Sequence, residues 1–348
     1  MTARPARSRP RRQRPAPSRQ AQRGVALLVA ILLVALGTII AAAVAYENAM
    51  TARRGTATYA FDQSLLIAQG AEALAAYGLR QIYQSDPTHI YPGQGWDKPV
   101  GPIEVVPGVM LEASLEDLQG RFNLNKLVNT DGTPDPVEVN AFVQLLTMLG
   151  LEPKWAGYLV DWIDVDIVPQ NPDGAEDSVY MGQTPPYRAP NRYITSATEL
   201  LALPGFGRDR YLKLAPYVTA LPQITKINVC TASGPVLDAF LGAGHSEFGA
   251  NPERLTQTRS NTSGCFPSLA NYQAAFDPKV WNAKGTAGVS SKFTESSNYF
   301  RLTSFITIGS AEFNLYSLLY LDTPGPGGAG RGGAGGAVRP IQRSFTPD

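Results

Sequence analysis

The chain has 348 residues, of which 44% are hydrophobic and 17% are charged, a globular composition with enough length for a large core. Eight of its 30 Lys and Arg residues fall within residues 1–24, which contain no acidic residue, so the other 22 face 29 acidic residues. The basic charge therefore belongs to the N-terminal segment, and the mildly acidic remainder argues against a nucleic-acid-binding surface.

A long apolar run follows this basic segment. Residues 25–45 are interrupted only by Gly37 and Thr38. A helix rises about 1.5 Å per residue, so this run spans roughly 31 Å, the thickness of a bilayer's hydrocarbon core. The apolar region of a secretory signal is shorter, about 7–15 residues. The arginines before the run predict that residues 1–24 stay in the cytoplasm and that the rest of the chain crosses the membrane.

The helical pattern continues beyond the apolar run. Residues 46–83 contain no proline, and apolar side chains recur at helical spacing at Leu65, Leu66, Ala68, Ala73, Leu74, Tyr77 and Ile82. We expect one helix from the membrane into the aqueous phase, with fraying near Gly55. A basic leader that ends in Arg-Gly, followed by such a helix, resembles the type IV pilin superfamily. The resemblance implies that prepilin peptidase cuts after Gly24, that Val25 becomes the methylated N-terminus, and that the apolar helix is kept for assembly.

One position departs from the pilin pattern. Pilins carry Glu at the fifth position of the mature chain, where this chain has Val29. That Glu meets the α-amino group of a neighbouring subunit inside the apolar filament core, where an unpaired charge is costly. The superfamily member that usually lacks it is the K-type minor pseudopilin of type II secretion, at the filament tip. An unrelated anchored protein would lack it too.

The strand signals lie near both ends of the body. Residues 103–117 predict two strands around Pro107-Gly108, and residues 120–127 predict a third. Residues 298–309 alternate with Phe300, Leu302, Ser304, Ile306 and Ile308 on one face, and residues 310–322 predict the hairpin partner. The expected fold is α+β, a pilin-like long N-terminal helix packed on an antiparallel sheet.

A mainly helical region interrupts this sheet. Residues 136–151 place Val139, Phe142, Val143, Leu145, Leu146 and Leu149 on one helical face, residues 153–164 predict a short helix, and residues 196–221 predict a helical hairpin of helix-hairpin-helix type. The phrases "GRFNLNKL", "YLVDWIDVD", "GAEDSVYMGQTPPYRAPNR", "ATELLALPGF" and "INVCTAS" together resemble the K-type pseudopilin family, the general secretion pathway protein K.

These patterns divide the chain into six segments. We predict a cleaved leader at 1–24, an assembly helix at 25–45, a helix continuation with the first strands at 46–127, and a large inserted helical domain at 128–222. The remainder of the pseudopilin domain follows at 223–322. The Gly/Pro-rich residues 323–348 are expected to be disordered, because their composition cannot bury a core.

An acidic loop is the main candidate for a metal site. Residues 161–177 contain six carboxylates bent by Pro and Gly, without the EF-hand register, and such a loop is either solvated or gathered around Ca²⁺. Members of the resembled family bind calcium in the corresponding insert. The resemblance therefore favours calcium, with the ligands Asp164, Asp166, Asp173, Glu176 and Asp177. We expect Asp161 to face its own helix beside Trp162.

The two cysteines, Cys230 and Cys265, fit either two reduced thiols or one disulfide. Export of the body to an oxidising compartment would favour the disulfide.

Two other function classes are weighed against assembly. The stretch "ELLALPGFGRDRYLKLAPYV" is similar to DNA-binding helix-hairpin-helix elements, with Arg208, Arg210 and Lys213 nearby, but the body is acidic and helix pairing is the simpler interpretation. The two histidines, His89 and His245, lie in no metal or triad pattern, and hydrolase or phosphate-loop motifs do not occur. We therefore predict that the protein is not an enzyme.

The resemblance implies a minor pseudopilin in the inner membrane, with a single span and its body in the periplasm, that caps the pseudopilus tip and helps to start its assembly. The implied partners are the I-type and J-type minor pseudopilins, the inner-membrane assembly platform and prepilin peptidase, without nucleic acid. The alternative is an anchored binding module of helix-hairpin-helix type, for example one for DNA uptake.

Overall fold

The computed structural model describes residues 19–283, 288–323 and 336–346. Its helices are α1 (Arg19–Ser85), α2 (Pro136–Met148), α3 (Trp155–Ile163), α4 (Asp177–Tyr180), α5 (Gly207–Leu214), α6 (Gly234–Leu241), α7 (Pro252–Asn261), α8 (Leu269–Gln273) and α9 (Pro278–Trp281). Its strands are β1 (Val100–Val106), β2 (Val109–Asp117), β3 (Phe122–Asn123), β4 (Val218–Thr219), β5 (Ile227–Asn228), β6 (Phe293–Thr294), β7 (Tyr299–Ile308), β8 (Ala311–Asp322) and β9 (Ala337–Ser344). The chain divides after Asp62 into two units, each described by itself.

The first unit, as far as it is described, is the N-terminal part of α1. After Val25 the helix contains an apolar stretch that is long enough to cross a membrane, with a mean hydropathy of 2.9 in its most apolar window. The apolar residues 25–45 are all exposed. The helix continues through Gly55, where fraying was expected. Exposed apolar side chains over this length need lipid or neighbouring helices around them.

The second unit is built on an antiparallel sheet. Its strands lie in the order β1-β2-β7-β8-β9, and every neighbouring pair is antiparallel. Alternate residues of β7 and β8 are buried, as the sequence alternation predicted. This buried face packs against the C-terminal part of α1 in one core, which includes Ala68, Ala71, Leu79, Phe300, Leu302, Ile306 and Leu319. The predicted α+β arrangement of a long helix on an antiparallel sheet is therefore confirmed.

A second core lies in the helical region between β2 and β7. Asp135 caps the N-terminus of α2, where its side chain accepts hydrogen bonds from the backbone N–H groups of Val137 and Glu138. Helix α2 buries Phe142, Leu145 and Leu146, as its periodicity predicted, and it packs against α6. This core extends past the predicted boundary at residue 222, because it also contains Phe240, Tyr272 and Phe293.

Two predictions of local structure are wrong. Residues 120–127 form only the two-residue strand β3, followed by a 3₁₀-helix at Leu124–Leu127. The cause is Asn123, whose side chain accepts a hydrogen bond from the backbone N–H of Asn125 and ends the strand. The tail predicted to be disordered contains β9, which pairs with β8 at the edge of the sheet.

The predicted helical hairpin at residues 196–221 forms with a different first arm. Its first arm is a 3₁₀-helix, Ala197–Ala202, and its second arm is α5 followed by a 3₁₀ turn at Ala215–Tyr217. The turn between the arms places Gly205 and Gly207 at positive φ angles of 82° and 74°. Glycine adopts this backbone conformation without strain, which explains the Pro-Gly-Phe-Gly sequence.

Candidate functional site

The acidic loop brings three carboxylates together at the end of α3. Ligand atoms of Asp161, Asp164 and Glu176 all lie within 4.8 Å of one another, and all three side chains are buried. Asp161 lies in the last turn of α3, Asp164 directly follows that helix, and Glu176 directly precedes α4. The loop therefore returns to the helix from which it left.

Close packing of the loop on α3 depends on two glycines. A Cβ added at Gly157, inside α3, would lie 1.9 Å from the carbonyl oxygen of Asp173. A Cβ added at Gly174 would lie 2.5 Å from an oxygen of Asp161. Asp161 also accepts hydrogen bonds from the backbone N–H groups of Gln170 at 3.0 Å and Ala175 at 2.6 Å. These contacts fix the return of the loop and the position of Glu176 beside it.

Two of the three carboxylates accept no hydrogen bond from the described residues. Both side-chain oxygens of Asp164 and both of Glu176 are buried without a hydrogen-bond partner among the described residues. The side chain of Gln170 lies near Asp164 and acts to lower its pKa. The side-chain hydroxyl of Tyr180, also buried without a partner, completes this set of unsatisfied polar atoms. Buried charges without partners are rare in folded proteins, so this cluster calls for a cation or for protonation.

The pKa values of the cluster are raised. Burial raises the pKa of Asp164 to about 7, and the neighbouring charges of Asp166, Asp161 and Glu176 add to the shift. Burial and the charges of Asp161, Asp166 and Asp177 likewise raise the pKa of Glu176 to about 7. The pKa of Asp161 rises to about 6 for the same reason, although its two backbone hydrogen bonds oppose the rise. A bound divalent cation would reverse these shifts by stabilising the ionised carboxylates.

The predicted ligand set agrees with this geometry only in part. Asp164 and Glu176 lie in the cluster, and Asp166 is exposed at its edge, where its side chain accepts a hydrogen bond from the N–H of Val168. Asp173 is exposed and lies outside the cluster. Asp177 lies outside it as well, because its side chain accepts from the N–H of Ala189 and pairs with Arg188.

Asp161 was expected to face its own helix, and this expectation is wrong. Its carboxylate is directed at the returning loop instead, where it accepts backbone hydrogen bonds and joins the cluster. The sequence position of Asp161 did not indicate this role, since the role depends on where residues 170–175 return to α3. The one related sequence feature is Gly174, whose lack of a side chain allows the loop to approach the Asp161 carboxylate.

The residues predicted for processing lie in α1. Gly24 and Val25 are helical, and the side chains of Val25 and Val29 are 64% and 48% exposed. Residues 25–46 contain no Asp or Glu, so the position of the pilin Glu has no acidic substitute nearby in the sequence. The cleavage and methylation assignments remain predictions.

The helix-hairpin-helix turn is used within the protein. Arg210 donates to the side chain of Glu152 at 2.9 Å and to the carbonyl oxygens of Gly205 and Phe206, both at 3.1 Å. The structure joins Cys230 to Cys265 by a disulfide, which connects the segment between β5 and α6 to the segment after α7. Arg259, 9% exposed, donates to the carbonyl oxygens of Val229, Ala232 and Phe266 around this disulfide. Both features support the helical region structurally.

Comparison with known proteins identifies the family. The sequence model of the family described as "Type II secretion system (T2SS), protein K" matches residues 120–223. Type II secretion system protein K of Pseudomonas aeruginosa is 36% identical over 226 residues, 62% of this chain and 67% of that protein. The protein of the same name from Pectobacterium carotovorum is 30% identical over 313 residues, 86% of this chain and 92% of that protein.

A solved structure shares the fold. A chain in the crystal structure of the GspK-GspI-GspJ complex from the enterotoxigenic Escherichia coli Type 2 Secretion System superposes with a TM-score of 0.66 at 24% identity. The match covers 85% of this chain and 100% of that chain. This chain therefore shares that fold, and the two relatives show that it belongs to the type II secretion system protein K family.

Proposed function

We propose that this protein is a minor pseudopilin that caps the tip of the type II secretion pseudopilus and helps to start its assembly. Family membership supports the assembly role, and the observation that carries the tip position is the apolar, carboxylate-free start of α1. A subunit with Val29 offers no carboxylate to the α-amino group of a subunit above it. The mechanism is packing of helices and not catalysis.

The same helix supports the proposed processing and location. The basic residues before Gly24 and the apolar helix after it fit cleavage by prepilin peptidase after Gly24 and methylation of Val25. Before assembly, α1 would span the inner membrane once, with the body in the periplasm, where the assembly platform would extract it. An oxidising periplasm also suits the disulfide between Cys230 and Cys265.

The proposed partners are the I-type and J-type minor pseudopilins. The similar fold solved within a GspK-GspI-GspJ complex supports this assignment. The exposed apolar side chains of residues 25–45 would bundle with the corresponding helices of those subunits when the chain leaves the lipid. Helices in such an apolar surrounding associate by van der Waals packing, for which a continuous apolar surface is suitable.

Calcium is the proposed ligand of the acidic cluster. Asp161, Asp164 and Glu176 supply hard carboxylate oxygens of the type that Ca²⁺ prefers, and the unpaired oxygens of Asp164 and Glu176 are buried and close together. The exposed carboxylate of Asp166 lies near enough to raise the pKa values of the cluster and is a further possible ligand. When bound, the ion would join the end of α3 to the start of α4 and thereby stabilise the helical region.

Export by a host that lacks its own protein K tests the assembly proposal. The full chain is expected to restore export of a type II substrate, since assembly requires the retained helix. A matched chain carries a cleaved secretory signal in place of residues 1–45, which leaves the same body free in the periplasm, and it is expected to restore nothing. Equal export with both chains would show that the apolar helix is not required for assembly of the secretion machine. A Val29→Glu chain should be processed like the wild type.

A further inference from the structure

The last strand, β9, adds almost nothing to the core. The inward side chains of β7 and β8 are buried in alternation, whereas in β9 every side chain is exposed or half-buried. Ile341, the largest apolar side chain of β9, is 48% exposed. The strand is joined to β8 by antiparallel pairing from Tyr316–Ser344 to Asp322–Ala337. Backbone hydrogen bonds therefore provide most of its attachment.

An ion pair between a buried carboxylate and an exposed arginine adds to this attachment, beside the packing of Val338 on the core. Glu72 of α1 is 4% exposed, and Arg343 of β9 binds it with two hydrogen bonds, from Nη2 at 2.6 Å and from Nε at 2.8 Å. Ser317 of β8 donates a third hydrogen bond, at 2.5 Å, to the same carboxylate. Burial acts to raise the pKa of Glu72, but the contacts with Arg343 and Ser317 outweigh burial and lower it. Without Arg343, a charged side chain would lie buried with only a serine as donor.

Three features make this strand separable from the body. Antiparallel neighbours need a connection of only about two residues, but twelve residues, 324–335, lie between Thr323 and Gly336, almost all Gly, Pro or Ala. Pro340 has no backbone N–H to donate to β8. The pairing register also shifts between Leu318 and Leu319. The segment thus has a long connection and an interrupted ladder.

Strand β9 covers the C-terminal part of the outer edge of β8. Strand β8 has twelve residues, of which Tyr316–Asp322 pair with β9, and without β9 these residues would present unpaired N–H and C=O groups to an extended chain. With β9 in place, the outermost strand carries Arg339, Pro340 and Arg343, residue types that discourage further strand addition. A subunit that packs beside others in a filament would benefit from an edge that is covered over these residues.

We propose that the outer edge of β8 is a strand-acceptor site, and that its ligand is this chain's own segment 337–344, selected by the pairing of Arg343 with Glu72. The segment is a detachable strand and not part of the sheet's core. It covers Tyr316–Asp322 of this edge against strands of neighbouring subunits. This inference rests on contacts within the second unit and does not depend on the proposed tip position or on calcium.

Exchange of the strand tests the proposal in the full chain. A site-specific protease sequence is placed within residues 324–335, and the folded protein is cut there, so that folding occurs with the strand present. A fluorescent peptide of residues 336–346 is then added, and its anisotropy is measured. The cut chain is expected to exchange its own strand for the peptide with saturable binding, and the uncut chain is expected to bind at least about tenfold more weakly, because the covalently attached strand competes.

Two peptide variants separate recognition from general charge. Arg343→Gln is expected to weaken binding at least about tenfold, because Glu72 loses its partner. Arg339→Gln removes the same charge on the other face of the strand, where the guanidinium lies over the ring of Tyr320, and is expected to change binding less than about threefold. A Glu72→Gln chain should lose the preference for Arg343 over Gln.

Three results would overturn the proposal. A cut chain that keeps its far-ultraviolet circular dichroism and yet never accepts the peptide would make the strand an inseparable part of the sheet. Equal binding of the two peptide variants would remove the role of Glu72. Binding of the peptide to the uncut chain with the affinity of the cut chain would place the peptide elsewhere on the protein.

Discussion

Replacing Asp164 with Asn should change stability in opposite directions with and without calcium. Without metal, Asp164 is a buried charge beside Asp161 and Glu176, with no donor among the described residues. Asn has nearly the same shape and carries no charge, so it removes repulsion within the cluster. With calcium, the same change removes a ligand. We therefore expect Asp164→Asn to stabilise the protein in EDTA and to abolish most of the stabilisation that calcium gives.

The structure sets the size of the effect. The pKa of Asp164 rises from 3.8 to about 7, and one pKa unit corresponds to about 1.4 kcal/mol. Ionised Asp164 therefore costs the folded state at most about 4 kcal/mol at pH 8. Burying the Asn amide without acceptors costs roughly 1–3 kcal/mol. The free energy of unfolding of the variant therefore increases by about 1–3 kcal/mol. For a domain of this size the gain raises the melting temperature by roughly 2–4 °C per kcal/mol.

Thermal unfolding of the full chain in detergent, in EDTA and in millimolar calcium, measures both effects. Wild-type protein should gain about 2.7 kcal/mol when calcium is at a hundred times its Kd, and Asp164→Asn should gain much less. The matched control is Asp173→Asn, the same chemical change at an exposed position of the same loop outside the cluster. It should melt like the wild type in both conditions.

The pH dependence of stability tests the repulsion within the carboxylate cluster independently. The raised pKa values of Asp164 and Glu176, both about 7, mean that the folded state binds more protons than the unfolded state between about pH 4 and pH 7. Metal-free wild-type protein should therefore lose stability as the pH rises through this range, and Asp164→Asn should lose less. An Asn variant that melts lower than wild type in EDTA at pH 8 would refute the proposed repulsion, and a wild-type melt unchanged by calcium would refute the metal site.

Gly24→Ala should block removal of residues 1–24, as measured by mass spectrometry. The control Gly37→Ala lies in the middle of the apolar helix, with nothing within 4 Å of an added Cβ, and should be cleaved like the wild type. Replacing Cys230 and Cys265 together with Ser should lower the free energy of unfolding by about 3–4 kcal/mol in the chain-entropy model, measured by denaturant unfolding. Lys292→Met should destabilise by about 3–5 kcal/mol because buried Asp135 and Glu138 lose a cation, while Lys154→Met, at an exposed pair, should change less than about 1 kcal/mol.

Long periodic segments were predictable from the sequence. The alternation in residues 298–322 and the helical periodicity of residues 136–149 depend on which side chains face a core, and both elements form as predicted. Short polar segments could not be predicted in this way, because single side-chain hydrogen bonds determine their conformation. Asn123 ends a predicted strand by bonding to the backbone of Asn125, a contact that no periodicity contains.

Contacts between distant residues were the least predictable. Glu72 and Arg343 lie 271 positions apart, and Arg343 stands in a tail whose average composition predicted disorder. The average composition of residues 323–348 concealed the eight residues that form β9, and residues 324–335 lie outside the part of the chain that the structure describes. In the acidic loop, the residue types predicted a cation site, and the structure brings Asp164 and Glu176 of that set together, whereas the inclusion of Asp161 in the cluster depends on where the loop returns.

Mass spectrometry of the chain purified from the membranes of cells that contain the complete type II secretion machine tests the central claim most directly. The chain should begin at Val25 with a methylated α-amino group, and the I-type and J-type minor pseudopilins should be recovered with it. Removal of prepilin peptidase should restore residues 1–24. A chain that still carries these residues while the peptidase is active, and that is recovered without either partner, would contradict the proposed assembly role.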